Sequence, residues 1–238
     1  MSALINKMPS MRAAGVLLVA SLPLLFLGAA LWRMDFQNPD LAEALRAIAR
    51  HDALWRWIQL WLAIGLVVGI LGLGGLVELL RDAGDRFFGA AGLLLYVIGS
   101  VPWLVVLACR VTVVTAVAAR SDLAGVVESY APWHRAAGVV VASHLALAYV
   151  ATICFGVAIL RTRLLGSRVG WTGIIVGGVT TLGLAVFPFG FLAPFMVLVY
   201  PFIVGVALLR ARTRADTSRG LEQPSERATK LLDGDFGQ

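Results

Sequence analysis

The feature that most constrains this chain is the uncharged stretch from Val169 to Leu209. A helix crosses the hydrocarbon core of a bilayer with about 20 apolar residues, so this stretch is too long for one crossing and suits two. Pro188-Phe189-Gly190 and Pro194 supply the turn between them, because proline and glycine punctuate a helical run. Similar runs recur upstream, from Ala13 to Leu31, from about Trp57 to Leu80, from Phe87 onward, and from about Ala136 to Leu160. The expected fold is therefore all-α, a polytopic transmembrane helical bundle of six spans in residues 13–210. Residues 1–12 form a cytoplasmic N-terminal segment in this scheme, and residues 211–238 a polar cytoplasmic tail expected to be disordered.

Composition supports the bilayer as solvent. The chain is 59% hydrophobic and 14% charged with a mean hydropathy of +0.85, against roughly 45–50% and 25% in soluble domains. Its net charge of +6 comes from basic residues beside the apolar runs, which is how topology is set and not how a nucleic-acid surface is built. No nucleic-acid partner is expected. Cys109 and Cys154 both fall inside spans, where they serve as small packing residues and not as a disulfide framework.

Lys7 and Arg12 precede the first run as they would in a secretory signal. The apolar core exceeds the usual 7–15 residues and Gly28-Ala29-Ala30 is a loose cleavage match, so a retained anchor is expected. The turn Arg81-Asp82-Ala83-Gly84-Asp85-Arg86 joins spans two and three as an antiparallel hairpin. Placing both termini inside puts Lys7, Arg12, Arg81, Arg86, Arg161, Arg163, Arg168, Arg210, Arg212 and Arg214 near the inner span ends. Arg33, Arg46, Arg50, Arg56, Arg120 and Arg135 then lie outside, and the asymmetry favours this orientation.

In the first external loop, Asn38 is placed to cap a helix with Pro39 in its first position. Leu41, Leu45 and Ile48 form an apolar stripe opposite Asp40, Glu43, Arg46 and Arg50, predicting a short amphipathic helix packed on the bundle. Pro23, Pro102 and Pro201 lie within spans, where each removes a backbone donor and can bend its helix. The segment from Gly156 to Arg163 echoes that from Gly205 to Arg212. An apolar helix end followed by arginine is a common stop-transfer solution, so the echo does not require a duplicated unit.

His144 and Arg110 are the candidate intramembrane polar site. Counting from His134 at ~1.5 Å per residue puts His144 about 15 Å deep, near the midplane. Its imidazole could ligate haem, relay protons or hydrogen-bond another helix, and the last is favoured because His51 and His134 belong near the outer surface. Arg110 lies about 35 Å along its helix from Phe87, near the outer boundary, where it can snorkel to water, bind an anion, or pair with Glu128 or Asp122. Glu78 is spaced to pair with Arg81.

His51, Asp122, Glu128 and His134 form a candidate outer-rim polar cluster among tryptophans and tyrosines. Their spacing matches no zinc motif, and an interfacial aromatic belt accounts for the composition. No metal or other cofactor is predicted, haem being the one considered. Gly65 with Gly69 and Gly173 with Gly177 are small-xxx-small pairs suited to close helix packing within the chain, or to a homodimer. No Walker A loop, dinucleotide fingerprint, zinc-protease motif or nucleophile elbow appears.

Arg56 entering span two, Leu79-Leu80-Arg81 closing it, the run from Leu164 to Gly173 leading into span five, and Gly205 to Arg210 at the end of span six together carry a resemblance. The chain resembles a family of bacterial six-helix integral membrane proteins of unknown function. The likeness extends over spans two to six and departs from the family at Ser167, where proline is common. It implies a location in the bacterial inner membrane and supplies no active site.

The residues favour a noncatalytic membrane component that binds a protein or lipid partner. A small transporter or permease is the alternative, drawing on the intraspan prolines with Arg110 and His144. A haem-binding or other oxidoreductase subunit ranks third.

Overall fold

The computed structural model describes residues 8–32, 40–120, 123–186 and 196–211. Among them the chain is all-helical. Helix α1 is Met8–Trp32, α2 Leu41–Arg50 and α3 Asp52–Asp82. Helix α4 runs through Phe88–Ala118, with one π-helical stretch at Arg110–Val114. Helix α5 is Leu123–Thr162, α6 Ser167–Val186 and α7 Met196–Ala211.

Four helices are long and apolar enough to cross a membrane: Ser10–Gly28 within α1, α3, α4, and Gly125–Thr162 within α5. Six such spans were expected. Helix α6 is helical over 20 residues, while α7 is a shorter apolar helix. The expected turn at Pro188-Phe189-Gly190 and Pro194 lies outside the described residues, as do Lys7, Arg33, Asn38, Pro39, Asp122, Arg212, Arg214 and the polar tail.

Packing runs antiparallel from helix to helix, and glycine records the register. A Cβ on Gly65 would lie 2.7 Å from Leu25 Cγ, and one on Gly75 2.9 Å from Ala14 Cβ, so α3 descends along α1. Trp55 pairs with Arg110, and the buried Tyr96 brings its hydroxyl within 3.9 Å of a Cβ on Gly69, which makes α3 and α4 a hairpin. Gly92 abuts Ala151 and Phe155, and Gly99 abuts His144, setting α5 against α4. Gly156 meets Gly170 and Ile174 across the α5–α6 crossing, while Gly177 meets Tyr149 and Ile153. Gly173 is covered by Tyr200 of α7. Finally, Gly15 faces Leu209 and Gly205 faces Leu18 and Val19. The neighbour order α1, α3, α4, α5, α6, α7 thus closes on α1.

This alternation gives the bundle two distinguishable ends. One holds the α3–α4 and α5–α6 turns. In the first, Gly84 takes φ +101°, the left-handed region where glycine meets no Cβ penalty, and the Asp85 carboxylate accepts the Gly89 amide at 2.7 Å in the opening turn of α4. The predicted Glu78–Arg81 pair is present at 3.9 Å on the exposed surface.

The other end carries α2. Leu45 and Ile48 of the predicted stripe are buried, Leu41 is half-buried, and Glu43, Arg46 and Arg50 are exposed. Helix α2 packs on the last turn of α4 and on the start of α5. Its N-cap is Asp40, whose side chain accepts from the Ala42 and Glu43 amides, and not the expected Asn38. Asp40 is itself a strong capping residue, and placing it there starts the helix on the apolar Leu41.

Helix α5 departs from expectation more strongly. It begins at Leu123 and not near Ala136, and its described apolar span from Gly125 covers 38 residues, about 57 Å at 1.5 Å per residue. That exceeds the ~30 Å hydrocarbon thickness. Hydropathy falls where Glu128, His134 and Arg135 begin, but the helix continues because its opening turns rest on α2 and the end of α4, with Val126 buried.

Candidate functional site

The polar residues of the bundle collect where α3, α4 and α5 meet. Arg110 opens the π-helical stretch of α4, and an i→i+5 turn changes which amides reach which carbonyls. The Arg110 carbonyl accepts the Trp55 indole N–H of α3 at 2.9 Å. Thr112 and Thr115 donate to the carbonyls of Ala108 and Val111 within the same segment, the kind of hydroxyl support that tolerates irregular helix in an apolar setting. These bonds fix the arginine backbone.

Its side chain does not reach out to solvent as a snorkelling arginine would. Arg110 is only 9% exposed, and its guanidinium lies over the Trp103 ring, 4.9 Å from the centroid. Trp103 is about two turns away on the same face of α4, and a cation over an indole face gains more when desolvated.

Beside this pair, α4 and α5 part. They touch closely at Gly92 and Gly99, where added Cβ atoms would come within 3.1–3.2 Å of α5. Toward the α2 end Pro102 and the π-helical stretch interrupt regular geometry in α4, and the gap opens into a groove of ≈ 520 Å³. Val101, Val105 and Val113 form one wall, with Ala137 and Val140 on the other. Arg110 and Tyr130 bring its polar chemistry, and the largely exposed Trp133 stands at its edge. Its walls are apolar, and it carries one cationic group.

His144 lies deeper, at the α4–α5 contact. It is buried where Gly99 packs against its backbone, and its ring meets Tyr96 edge-on at 5.7 Å between centroids. Its Nδ1 has no hydrogen-bond partner. His134 is ten residues away on the same helix, about 15 Å, and His51 caps the start of α3; both are exposed. Gln59 of α3 is fully buried with neither amide atom partnered, and the Tyr200 hydroxyl is in the same condition. Nothing in the sequence singled out Gln59; only its packing between helices reveals it.

Of the outer-rim residues, Asp122 lies outside the described residues. Glu128, His51 and His134 are each exposed, and the contact made by His134 is with the Tyr130 ring at 6.1 Å. Among the described residues no group of three metal-ligating side chains converges. Gly65, Gly69, Gly173 and Gly177 all occupy internal crossings, filled by α1, α7 and α5 of the same chain. Cys109 and Cys154 are free thiols on neighbouring helices. No protein-family model matches the chain, nor does any curated protein or solved structure.

Proposed function

We propose that this protein is a noncatalytic component of a bacterial inner membrane that binds a lipid through the α4–α5 groove. The carrying observation is the groove itself: an apolar furrow, lined by exposed valines and ending near one buried cation. Pockets for amphiphiles combine apolar walls with a few placed polar groups.

Six spans with both termini cytoplasmic is the topology that accompanies this reading. The unbroken antiparallel order of α1, α3, α4, α5, α6 and α7 supports it, as does the contact that returns α7 to α1 in antiparallel register. Arg81, Arg86, Arg161, Arg163, Arg168 and Arg210 then share the cytoplasmic end, in keeping with the positive-inside rule. Cysteines introduced at Glu43 or Ala49 of α2 should react with an impermeant thiol reagent from outside; labelling only after the cells are opened overturns the orientation.

The lipid reading is tested by extracting the protein under mild conditions and weighing its bound lipid by native mass spectrometry. Val105→Trp fills the furrow with a side chain at an already exposed position. Lipid retained by the natural chain and lost from this variant is the expected result. Equal retention in both places the lipid elsewhere and overturns the reading.

A transporter is the second reading, favoured by Gln59, His144 and Tyr200, whose buried polar atoms lack partners and are costly in an apolar interior. A cysteine at position 59, with Cys109 and Cys154 replaced, reports on it. Reaction with a water-soluble thiol reagent supports an aqueous path; complete protection removes that support.

A further inference from the structure

We infer that the cleft between α6 and α7 binds an anionic phospholipid, with an acyl chain against the apolar face of α7 and the phosphate at Arg210. The cleft lies at the end of the bundle that carries the α5–α6 turn, away from the α4–α5 groove, and does not rest on the reading above. It follows from how the two helices meet. Gly173 of α6 packs against Tyr200 of α7, whose ring a Cβ there would approach to 2.5 Å, so the helices touch at that level. Toward the turn they part around a space of ≈ 630 Å³. Phe202, Val206 and Arg210 recur along the side of α7 that lines it, while Val204 and Leu208 on the other side are buried and Gly205 meets Leu18 and Val19 of α1. Leu164 of the turn and Val169 of α6 form the facing wall. These four apolar residues are each half-buried, which leaves apolar surface for an occupant. From Phe202 to Arg210 the lining face runs about 12 Å at 1.5 Å per residue, within the roughly 15 Å of one hydrocarbon leaflet. An acyl chain lying along it brings its headgroup to the level of Arg210.

Positive charge gathers at the mouth of the cleft. Arg210 lines it and is exposed, and the exposed Arg163 and Arg168 bracket the turn from Leu164 to Ser167. Arg163 takes φ 54°, a left-handed position that glycine adopts without a Cβ penalty, so the turn carries a cation where its geometry favours glycine. No carboxylate is among the described lining residues. The described acidic residues at this end, Glu78, Asp82 and Asp85, belong to α3 and the α3–α4 turn, and Arg161 is directed toward α4, over the Phe88 ring at 5.2 Å. Basic pockets between membrane helices take phosphate headgroups, and each arginine near the surface strengthens the attraction. A guanidinium presents its donors in a plane that matches phosphate oxygens. A zwitterionic headgroup brings its own ammonium to the same place and offsets the gain. Charge therefore selects the lipid, while the apolar face of α7 accepts either acyl chain.

The test is a titration of the detergent-solubilised full chain with phosphatidylglycerol and with phosphatidylcholine of identical acyl chains, read by native mass spectrometry. The chain carries Val105→Trp, so that the α4–α5 groove does not contribute and its failure is separate from failure here. With Arg210 in place, phosphatidylglycerol should bind about fivefold more tightly than phosphatidylcholine, the effect of one cation near the surface. Arg210→Gln should remove that preference and leave phosphatidylcholine binding unchanged, and Arg210→Lys should keep most of it, since the charge remains. Arg46→Gln, at an exposed position on the opposite end of the bundle, should change neither affinity. If Val105→Trp does not fold, the comparison of Arg210→Gln with Arg46→Gln in the natural chain decides. Equal affinity for the two lipids with Arg210 in place overturns the inference, as does a preference that Arg210→Gln leaves intact. A preference lowered equally by Arg46→Gln reports net charge and overturns the site. A dimer that Val206→Trp dissociates assigns the cleft to a second copy of the chain and overturns the inference as well.

Discussion

Gly177 and Gly178 are neighbours on α6 with opposite surroundings. A Cβ on Gly177 would stand 2.7 Å from the Tyr149 carbonyl oxygen and 3.1 Å from the Ile153 amide nitrogen, both backbone atoms of α5 that no rotamer change can move. A Cβ on Gly178 meets nothing within 4 Å. Replacing either with alanine relieves the conformational freedom of glycine in the unfolded chain, worth about 0.5–1 kcal/mol in a helix. Because that gain is common to both, the difference between the two variants isolates the overpacking cost, about 1–3 kcal/mol. For a chain of this size each kcal/mol moves the midpoint by about 2–4 °C, so Gly177→Ala should unfold about 2–12 °C below Gly178→Ala. Thermal unfolding in one detergent, followed by intrinsic tryptophan fluorescence, makes the comparison. Equal midpoints, or a Gly177→Ala variant more stable than Gly178→Ala, would refute the close α5–α6 crossing.

Other substitutions probe separate contacts. Trp55→Phe removes the donor to the Arg110 carbonyl and replaces a buried indole with a smaller ring; the bond alone is worth about 1 kcal/mol and the lost volume adds to it, so no change in the thermal midpoint would show that this contact does not hold the π-helical stretch. Asp40→Ala removes the side-chain cap of α2 and should cost about 1 kcal/mol, read most directly as faster amide exchange at Ala42 and Glu43 with little effect on α3. Asp85→Ala removes the acceptor for the Gly89 amide and should likewise cost about 1 kcal/mol; retention of the full thermal stability would argue against that bond.

Much of the architecture was legible along the chain because its causes are local. Apolar runs announce helices in lipid, since a helix satisfies its own backbone and solvent transfer depends on each side chain. The stripe of Leu41, Leu45 and Ile48 announced α2, and the Gly65–Gly69 and Gly173–Gly177 spacings announced close packing. Local rules also misplaced two boundaries. Asn38 was read as the cap because the proline after it is a good first residue, and Asp40, read as part of the polar face, takes that place. The opening of α5 was read as loop because charge at Glu128, His134 and Arg135 looks like the end of a span, although a helix can continue into water when one side of it is packed.

What the sequence by itself determined is a helical membrane chain with small-residue contact faces and few buried charges. Which face meets which helix was decided only in three dimensions, because glycine spacing marks a close approach without naming the partner: Gly173 takes Tyr200 and Gly177 takes Tyr149 and Ile153, on two different helices. The same holds for the site. Arg110 was visible as a charge in an apolar run, but its burial over Trp103, its backbone bond to Trp55 and the furrow beside it join residues from separate helices. Hydropathy sums over neighbours in sequence, whereas a groove is a gap between elements that are distant in sequence, and only their packing creates it.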